Sequence, residues 1–83
     1  MSILERLKAG LKNELISKRA ELELSQEKMA ELLDISLRSY SELERGNSFC
    51  SALSLINFVN NCDVDKERLF ANFDKIIKDA ENN

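Results

Sequence analysis

Ser25–Gly46 reads SQEKMAELLDISLRSYSELERG and has the pattern of two short helices joined by a tight turn. Ser25 and Ser36 each stand where a side-chain hydroxyl can accept a hydrogen bond from the free N–H groups of a following helix. The first helix has its apolar residues at the three-to-four spacing of one buried face: Met29, Ala30, Leu32 and Leu33. The second helix is predicted to bury Tyr40 and Leu43 and to end at Gly46, because glycine readily adopts the left-handed conformation that follows a helix.

The segment before this stretch has the periodicity of one amphipathic helix over residues 2–22. Its apolar stripe comprises Leu4, Leu7, Leu11 and Leu15, with Ile3 and Ile16 beside it. Gly10 lies inside the segment and costs about 1 kcal/mol against alanine, so a kink or a break could occur there. The stripe is interpreted as core packing, with a dimer contact as the alternative.

Two further helices are predicted after the loop at 47–50. Ser51 is the expected cap of a fourth helix, whose apolar residues are Ala52, Leu55, Ile56, Phe58, Val59 and Cys62, with Asn57, Asn60 and Asn61 on the outside. Asp65 is the expected cap of a fifth helix over 65–80, whose apolar residues are Leu69, Phe70, Phe73, Ile76, Ile77 and Ala80. Asp34 and Asp63 fall in the turns between helices.

The fold class predicted is all-α, a compact five-helix bundle that forms a single domain over residues 1–83. The chain has no proline and only two glycines among its 83 residues, which leaves little turn chemistry for β-hairpins. The short connections between the helices suit one shared core.

The composition argues against catalysis and metal binding. Histidine is absent, which removes the commonest general base and the commonest metal ligand. Cys50 and Cys62 are twelve residues apart without a CxxC pair, so we expect reduced thiols rather than a zinc site, with a disulfide or redox switch as the alternative. The sequence therefore predicts no enzyme, no metal and no cofactor.

The charge is the main observation against nucleic-acid binding. The formal net charge is −3, and residues 25–50 carry three basic and five acidic side chains. Affinity for DNA independent of sequence comes from Lys and Arg that neutralise phosphates. No apolar run approaches the roughly 20 residues that span a bilayer, so a soluble, cytoplasmic protein with no membrane partner is expected.

The chain resembles the Cro/C1-type helix-turn-helix family of bacterial and phage transcription regulators, also called the XRE family. The matching residues, spread over about 15–70, are Arg19, Ser25-Gln26-Glu27, Ala30, Asp34-Ile35-Ser36, Glu44-Arg45-Gly46, Leu55, Val64 and Leu69. The resemblance implies a lambda-repressor-like DNA-binding domain whose unit 25–46 inserts its second helix into the major groove of double-stranded DNA.

The resemblance also implies roles for individual residues. The principal base contacts would come from Leu37, Arg38 and Glu42, with Ser36, Ser39 and Ser41 as lesser contacts. Phosphates would be contacted by Gln26, Arg45 and Asn47, and Arg19 with Glu44 would form a partly buried structural ion pair. The alternative for Arg38 and Glu42, which are four residues apart, is a weak ion pair on a solvated helix face.

Three positions depart from the family pattern. Asp34 stands where the family usually has glycine in the turn, and is expected to adopt the left-handed conformation at some cost. Cys50 replaces a frequent proline, and the basic residues expected around 47–49 are missing.

The sequence is consistent with two functions. The first is a sequence-specific transcriptional regulator, such as a repressor, that binds a pseudo-palindromic operator as a homodimer. The amphipathic segments 1–14 and 71–83 could then form the dimer interface. The second is a protein-interaction module that keeps the fold but binds DNA weakly or not at all, motivated by the acidic character of the unit.

Overall fold

The structure, a computed structural model, describes residues 1–82 and contains five helices connected by short turns and loops. The helices are α1 (Ile3–Leu22), α2 (Gln26–Leu33), α3 (Leu37–Glu44), α4 (Ala52–Asn61) and α5 (Lys66–Glu81). No strand occurs within residues 1–82. The radius of gyration is 12.4 Å, as expected for a compact chain of this length. The predicted all-α, five-helix class is confirmed.

The predicted helix caps are present. The hydroxyl groups of Ser25, Ser36 and Ser51 each accept a hydrogen bond from the backbone N–H three residues later. The Asp65 carboxylate accepts two backbone N–H groups at the start of α5. Helix α1 begins at Ile3, one residue after its predicted start, so all five helices within residues 1–82 begin at or within one residue of the predicted positions.

The turn between α2 and α3 depends on Asp34. This residue has φ 59° and ψ 47°, which confirms the predicted left-handed conformation. The N–H of Asp34 donates to the Glu31 carbonyl and the N–H of Ile35 to the Ala30 carbonyl, so the last turn of α2 is closed by backbone bonds. Gly46 also has a positive φ, of 76°, just after α3.

The hydrophobic core lies between the helices, and the inner side of α3 packs against it. Helix α1 packs against α3 and α5, and α2 packs against α3 and α4. The buried apolar residues are Leu11, Leu15, Met29, Ala30, Leu33, Tyr40, Leu43, Phe58, Cys62, Val64, Leu69 and Phe73. Because two helices cover one side of α3, its opposite side is left facing solvent.

Some residues assigned to buried stripes are exposed. Ile56 is 55% exposed and Phe70 52%, and Leu4 is exposed near the start of α1. Leu53, which the stripe did not include, is 63% exposed. A helical stripe is wider than the strip that one neighbouring helix covers, so residues at its edge remain outside the core.

Two amides of α4 bond to α2 from positions that the sequence assigned to the outside of the helix. Asn61 is exposed as predicted and Asn57 is partly exposed, and their side chains donate to the backbone carbonyls of Leu32, at 2.7 Å, and of Leu33, at 3.2 Å. These carbonyls lie in the last turn of α2 and lack an intrahelical donor. Helix α4 therefore caps the C-terminal end of α2.

Helix α1 is continuous through Gly10, without the break that the sequence allowed. A Cβ atom at this position would lie 2.6 Å from Cδ1 of Ile76, so glycine permits the close approach of α1 and α5. Glu14, four residues after Gly10, accepts two hydrogen bonds from the Arg68 guanidinium of α5, at 2.7 and 2.9 Å. Gly10 and Glu14 thus both lie at the contact between α1 and α5.

Candidate nucleic-acid interface

The solvent-facing side of α3 carries the residues to which the resemblance assigned base contacts. Leu37 is 44% exposed and Arg38 is exposed, whereas Ser41 and Glu42 are partly buried. Within residues 1–82, the Arg38 guanidinium has no hydrogen bond and no ion pair. Arg38 therefore has all five of its N–H donors available to a partner.

Glu42 is not paired with Arg38. Its carboxylate accepts from Nη1 of Arg45 at 3.3 Å and from Nδ2 of Asn47 at 2.9 Å. The structure thus brings together one predicted base-contacting residue and two predicted phosphate-contacting residues. Asn47, whose role in this contact the sequence did not indicate, holds the loop after α3 against the exposed side of that helix.

The serines at the start of α3 are engaged with each other. The Ser36 hydroxyl accepts from the backbone N–H of Ser39, and the two hydroxyl groups are 3.0 Å apart. Both side chains are exposed, so each oxygen can still accept a further bond. The Ser36 hydroxyl thus caps α3, and the Ser39 hydroxyl accepts a hydrogen bond from it.

Gln26, at the start of α2, lies beside Glu44 of α3. Its Nε2 donates to Oε1 of Glu44 at 3.0 Å. A side-chain amide has two N–H donors, so the second remains for an acceptor in solution. The N–H groups in the first turn of α2 also lack intrahelical acceptors. The side-chain amide of Gln26 and the free backbone N–H groups therefore lie together at the N-terminus of α2. The bond to Glu44 fixes the Gln26 side chain at this helix end.

Glu44 is the centre of a hydrogen-bond network beneath α3. Arg19 donates from Nε at 2.7 Å and from Nη2 at 3.0 Å, which is a forked, charge-assisted contact. The Tyr40 hydroxyl donates to the same carboxylate, and Arg19 also donates from Nη1 to the Leu24 carbonyl. The network joins α1, α2 and α3 around a carboxylate that is 8% exposed as a residue.

The network shifts the pKa values of its members in directions that follow from these contacts. Burial alone would raise the pKa of the Glu44 carboxyl, but hydrogen bonds from Arg19, Tyr40 and Gln26 together hold that pKa below its usual value. Burial and the neighbouring carboxylate raise the pKa of the Tyr40 hydroxyl. Glu44 is therefore ionised and Tyr40 is neutral at physiological pH.

A cleft of about 410 Å³ runs beside α3, between this helix and the loop that follows it. Arg38, Glu42, Phe49 and Cys50 are among the residues that line it. Burial raises the pKa of the Cys50 thiol, so it stays protonated at neutral pH and is a poor nucleophile. Both cysteines are free thiols.

Residues 1–82 contain no cluster of His, Cys, Asp and Glu that could hold a metal ion. Within the same range, no helix is long and apolar enough to cross a membrane.

Two helices joined by a turn at a left-handed residue, with the second helix exposed on its outer side, define a helix-turn-helix. Residues 15–49 match the family model described as helix-turn-helix, which confirms the resemblance of this segment to the Cro/C1-type family. The segment 15–49 is thus a helix-turn-helix that is similar to those of DNA-binding regulators. No curated protein and no solved structure matches the chain.

Proposed function

We propose that the protein is a sequence-specific transcriptional regulator that reads a pseudo-palindromic operator as a homodimer. The observation that carries the proposal is the unpartnered Arg38 on the exposed side of α3, within a helix-turn-helix matched by its family model. Such a protein acts in the compartment that holds the DNA, which in a bacterium is the cytoplasm.

Base recognition is assigned to the exposed side of α3 and to its N-cap, Ser36. The Arg38 guanidinium can donate two hydrogen bonds to guanine O6 and N7, and Leu37 can pack on a thymine methyl group. Glu42 can accept from cytosine N4 after exchanging its exposed, 3.3 Å contact with Arg45. Ser36, Ser39 and Ser41 are assigned lesser contacts, since hydroxyl groups can both donate and accept.

Phosphate contacts are assigned to Gln26, Arg45 and Asn47. The second N–H of the Gln26 amide and the free backbone donors of the first turn of α2 suit an anion. The bond from Gln26 to Glu44 supports this role, because it fixes the amide at the helix end.

The proposed homodimer uses the apolar surface formed by Leu53, Ile56 and Phe70 on α4 and α5. This surface includes a shallow cavity of about 180 Å³ lined by Ile56, Phe70 and neighbouring side chains. In a two-fold symmetric contact the same patch lies on both subunits. The protruding side chains of one subunit can therefore enter the cavity of the other.

The charges around Phe70 support a second copy as the occupant. Lys66 and Asp74 lie four residues before and four residues after Phe70, on the same side of α5. If two α5 helices meet antiparallel at Phe70, Lys66 of each faces Asp74 of the other, which is also bonded within its own subunit to Lys78 at 2.8 Å. The sequence alone pointed to residues 1–14 and 71–83 for this contact, and exposed Leu4 keeps the first of these as the competing surface.

Selection from random DNA duplexes tests the regulator directly. We expect one enriched sequence with two half-sites about one helical turn apart, bound with log affinity that falls linearly with log salt. Recovery of no enriched sequence at low salt would refute the proposal and favour the protein-interaction module.

Sedimentation of the free protein tests the dimer surface. We expect Ile56→Glu to produce monomers, because it places a charge within the apolar contact, and Leu4→Glu to leave the dimer intact. Circular dichroism checks that both variants fold. The reverse result would move the interface to α1, and a wild-type chain that is monomeric at high micromolar concentration would refute a preformed dimer.

A further inference from the structure

The cations missing from the loop after α3 have a counterpart on another helix. Residues 47–49 contain no Lys or Arg, yet Lys8 and Lys12 of α1 line a cleft together with Arg45, Gly46 and Asn47. The cleft has a volume of about 380 Å³ and opens beside the loop that leaves the recognition helix.

The packing of α1 against α3 creates this arrangement. Lys8 and Lys12 are four residues apart and therefore project from the same side of α1. The Lys12 stem lies against the loop, with its Cδ 3.4 Å from the position that a Cβ on Gly46 would occupy. Glycine at residue 46 thus provides both the left-handed turn and the space in which the Lys12 side chain lies.

Both lysines are available to bind an anion. Within residues 1–82, neither Lys8 nor Lys12 forms an ion pair or a hydrogen bond. By contrast, Lys18 and Arg68, which line a different cleft, are paired with Glu21 and Glu14 at 2.6 and 2.7 Å.

Two carboxylates lie at or beside the cleft, and both accept hydrogen bonds. Glu5 is the one that lines it; its Oε1 accepts from the backbone N–H and the hydroxyl of Ser2, and these bonds, together with the nearby charge of Lys8, lower its pKa. Glu42 is bonded to Asn47 and to Arg45, but its 3.3 Å contact with Arg45 is long and exposed. The cleft itself therefore carries three cations against one carboxylate.

We infer that this cleft binds a phosphate of the DNA backbone and that Lys8 and Lys12 supply the cations that the loop lacks. The inference rests on the proposed DNA-binding function. When α3 occupies the major groove, the loop after it lies next to the backbone at the edge of that groove, and Lys, Arg and Asn side chains are the usual phosphate ligands. The net acidic charge of residues 25–50 then underestimates the positive charge of the DNA interface, because two cations of that interface, Lys8 and Lys12, come from α1.

The test compares the salt dependence of binding to the selected operator for two double variants. Lys8→Gln with Lys12→Gln removes both charges but keeps side-chain stems that can pack on the loop. Lys75→Gln with Lys78→Gln removes the same charge from α5, at positions that do not line the cleft, and sedimentation checks that loss of the Lys78–Asp74 ion pair leaves the dimer intact. Circular dichroism confirms that both variants fold.

For the cleft variant we expect the slope of log affinity against log salt to fall in magnitude by about 3.6 for the dimer, or 0.9 for each of the two lysines in each subunit. Affinity of the dimer should drop about 1,000-fold at roughly 0.15 M salt, with the selected sequence unchanged. Ethylation of a phosphate flanking the half-site should block the wild-type protein and have a smaller effect on the cleft variant.

Two results would overturn the inference while leaving the regulator intact. One is an unchanged slope in the cleft variant, and the other is an equal loss in the α5 variant, which would indicate net charge rather than a local site. If the wild-type protein selects no duplex at all, the regulator and the phosphate site are both refuted.

Discussion

The two sides of α3 differ in how tightly their polar groups are held, although Glu42 and Glu44 are only two residues apart. On the inner side, Glu44 accepts hydrogen bonds from Arg19, Gln26 and Tyr40 and is almost fully buried. On the outer side, Glu42 holds two exposed contacts and Arg38 holds none. The inner side thus fixes the helix in place, and the outer side keeps its donors and acceptors for a partner.

The largest expected effect is on stability, from truncating the two carboxylates separately. Glu44→Ala should lower the free energy of unfolding by about 3 kcal/mol, because it leaves Arg19, Tyr40 and Gln26 without their common acceptor. Glu42→Ala should change it by no more than about 0.5 kcal/mol. Urea denaturation measures both, and similar losses in the two variants would contradict the distinction between the sides.

The next effect is on base recognition rather than stability. Arg38→Ala should cost about 2 kcal/mol of discrimination at one base position, since a bidentate contact to guanine is lost. Gln26→Ala should weaken all sites alike, because a phosphate contact carries no sequence information. Repeating the duplex selection with each variant separates the two roles, and identical profiles would show that these assignments are wrong.

The smallest perturbation is a change of pH. Hydrogen bonds lower the pKa of Glu44 in the folded state, so the unfolded state binds a proton more readily. The stabilisation from this group is present above its usual pKa, about 4.5, and is lost as pH falls through the lower folded value. One proton changes the free energy of unfolding by at most about 1.4 kcal/mol per pH unit.

Denaturation between about pH 5 and pH 2 measures this effect, with Glu44→Gln as the comparison. The variant should lose less stability over that range than the wild-type protein. The remaining loss should include Glu14, whose pKa is lowered by its hydrogen bonds from Arg68. Parallel curves for the two proteins would show that Glu44 does not titrate with folding.

The local parts of the fold were readable from the sequence because each depends on neighbouring residues. The caps at Ser25, Ser36, Ser51 and Asp65 follow from a side chain and the backbone a few residues on. The left-handed Asp34 follows from the resemblance, because Asp34 stands where the family usually has glycine in the turn.

The distant contacts were not readable in the same way. Whether Ile56 and Phe70 lie inside or outside depends on how the helices cross, which periodicity does not determine. The approach of Lys12 to Gly46 joins residues 34 positions apart, and only the i,i+4 spacing of Lys8 and Lys12 offered a signal. The sequence indicated which residues of α3 could contact bases, but it did not indicate which of them already form hydrogen bonds within the protein.

Two amides of α4 bond to the last carbonyls of α2, and these bonds affect which spacing of half-sites a dimer could bind. Hydrogen bonds from Asn57 and Asn61 connect the helix that carries Ile56 to the end of α2, directly before the turn into α3. Any shift of α4 at a subunit contact would have to stretch those bonds or carry the turn along. The connection from the subunit contact through α4 and α2 to α3 would then be nearly rigid, and it would fix the distance between the two recognition helices of the dimer. The insertion of a single base pair between the two half-sites should therefore be poorly tolerated.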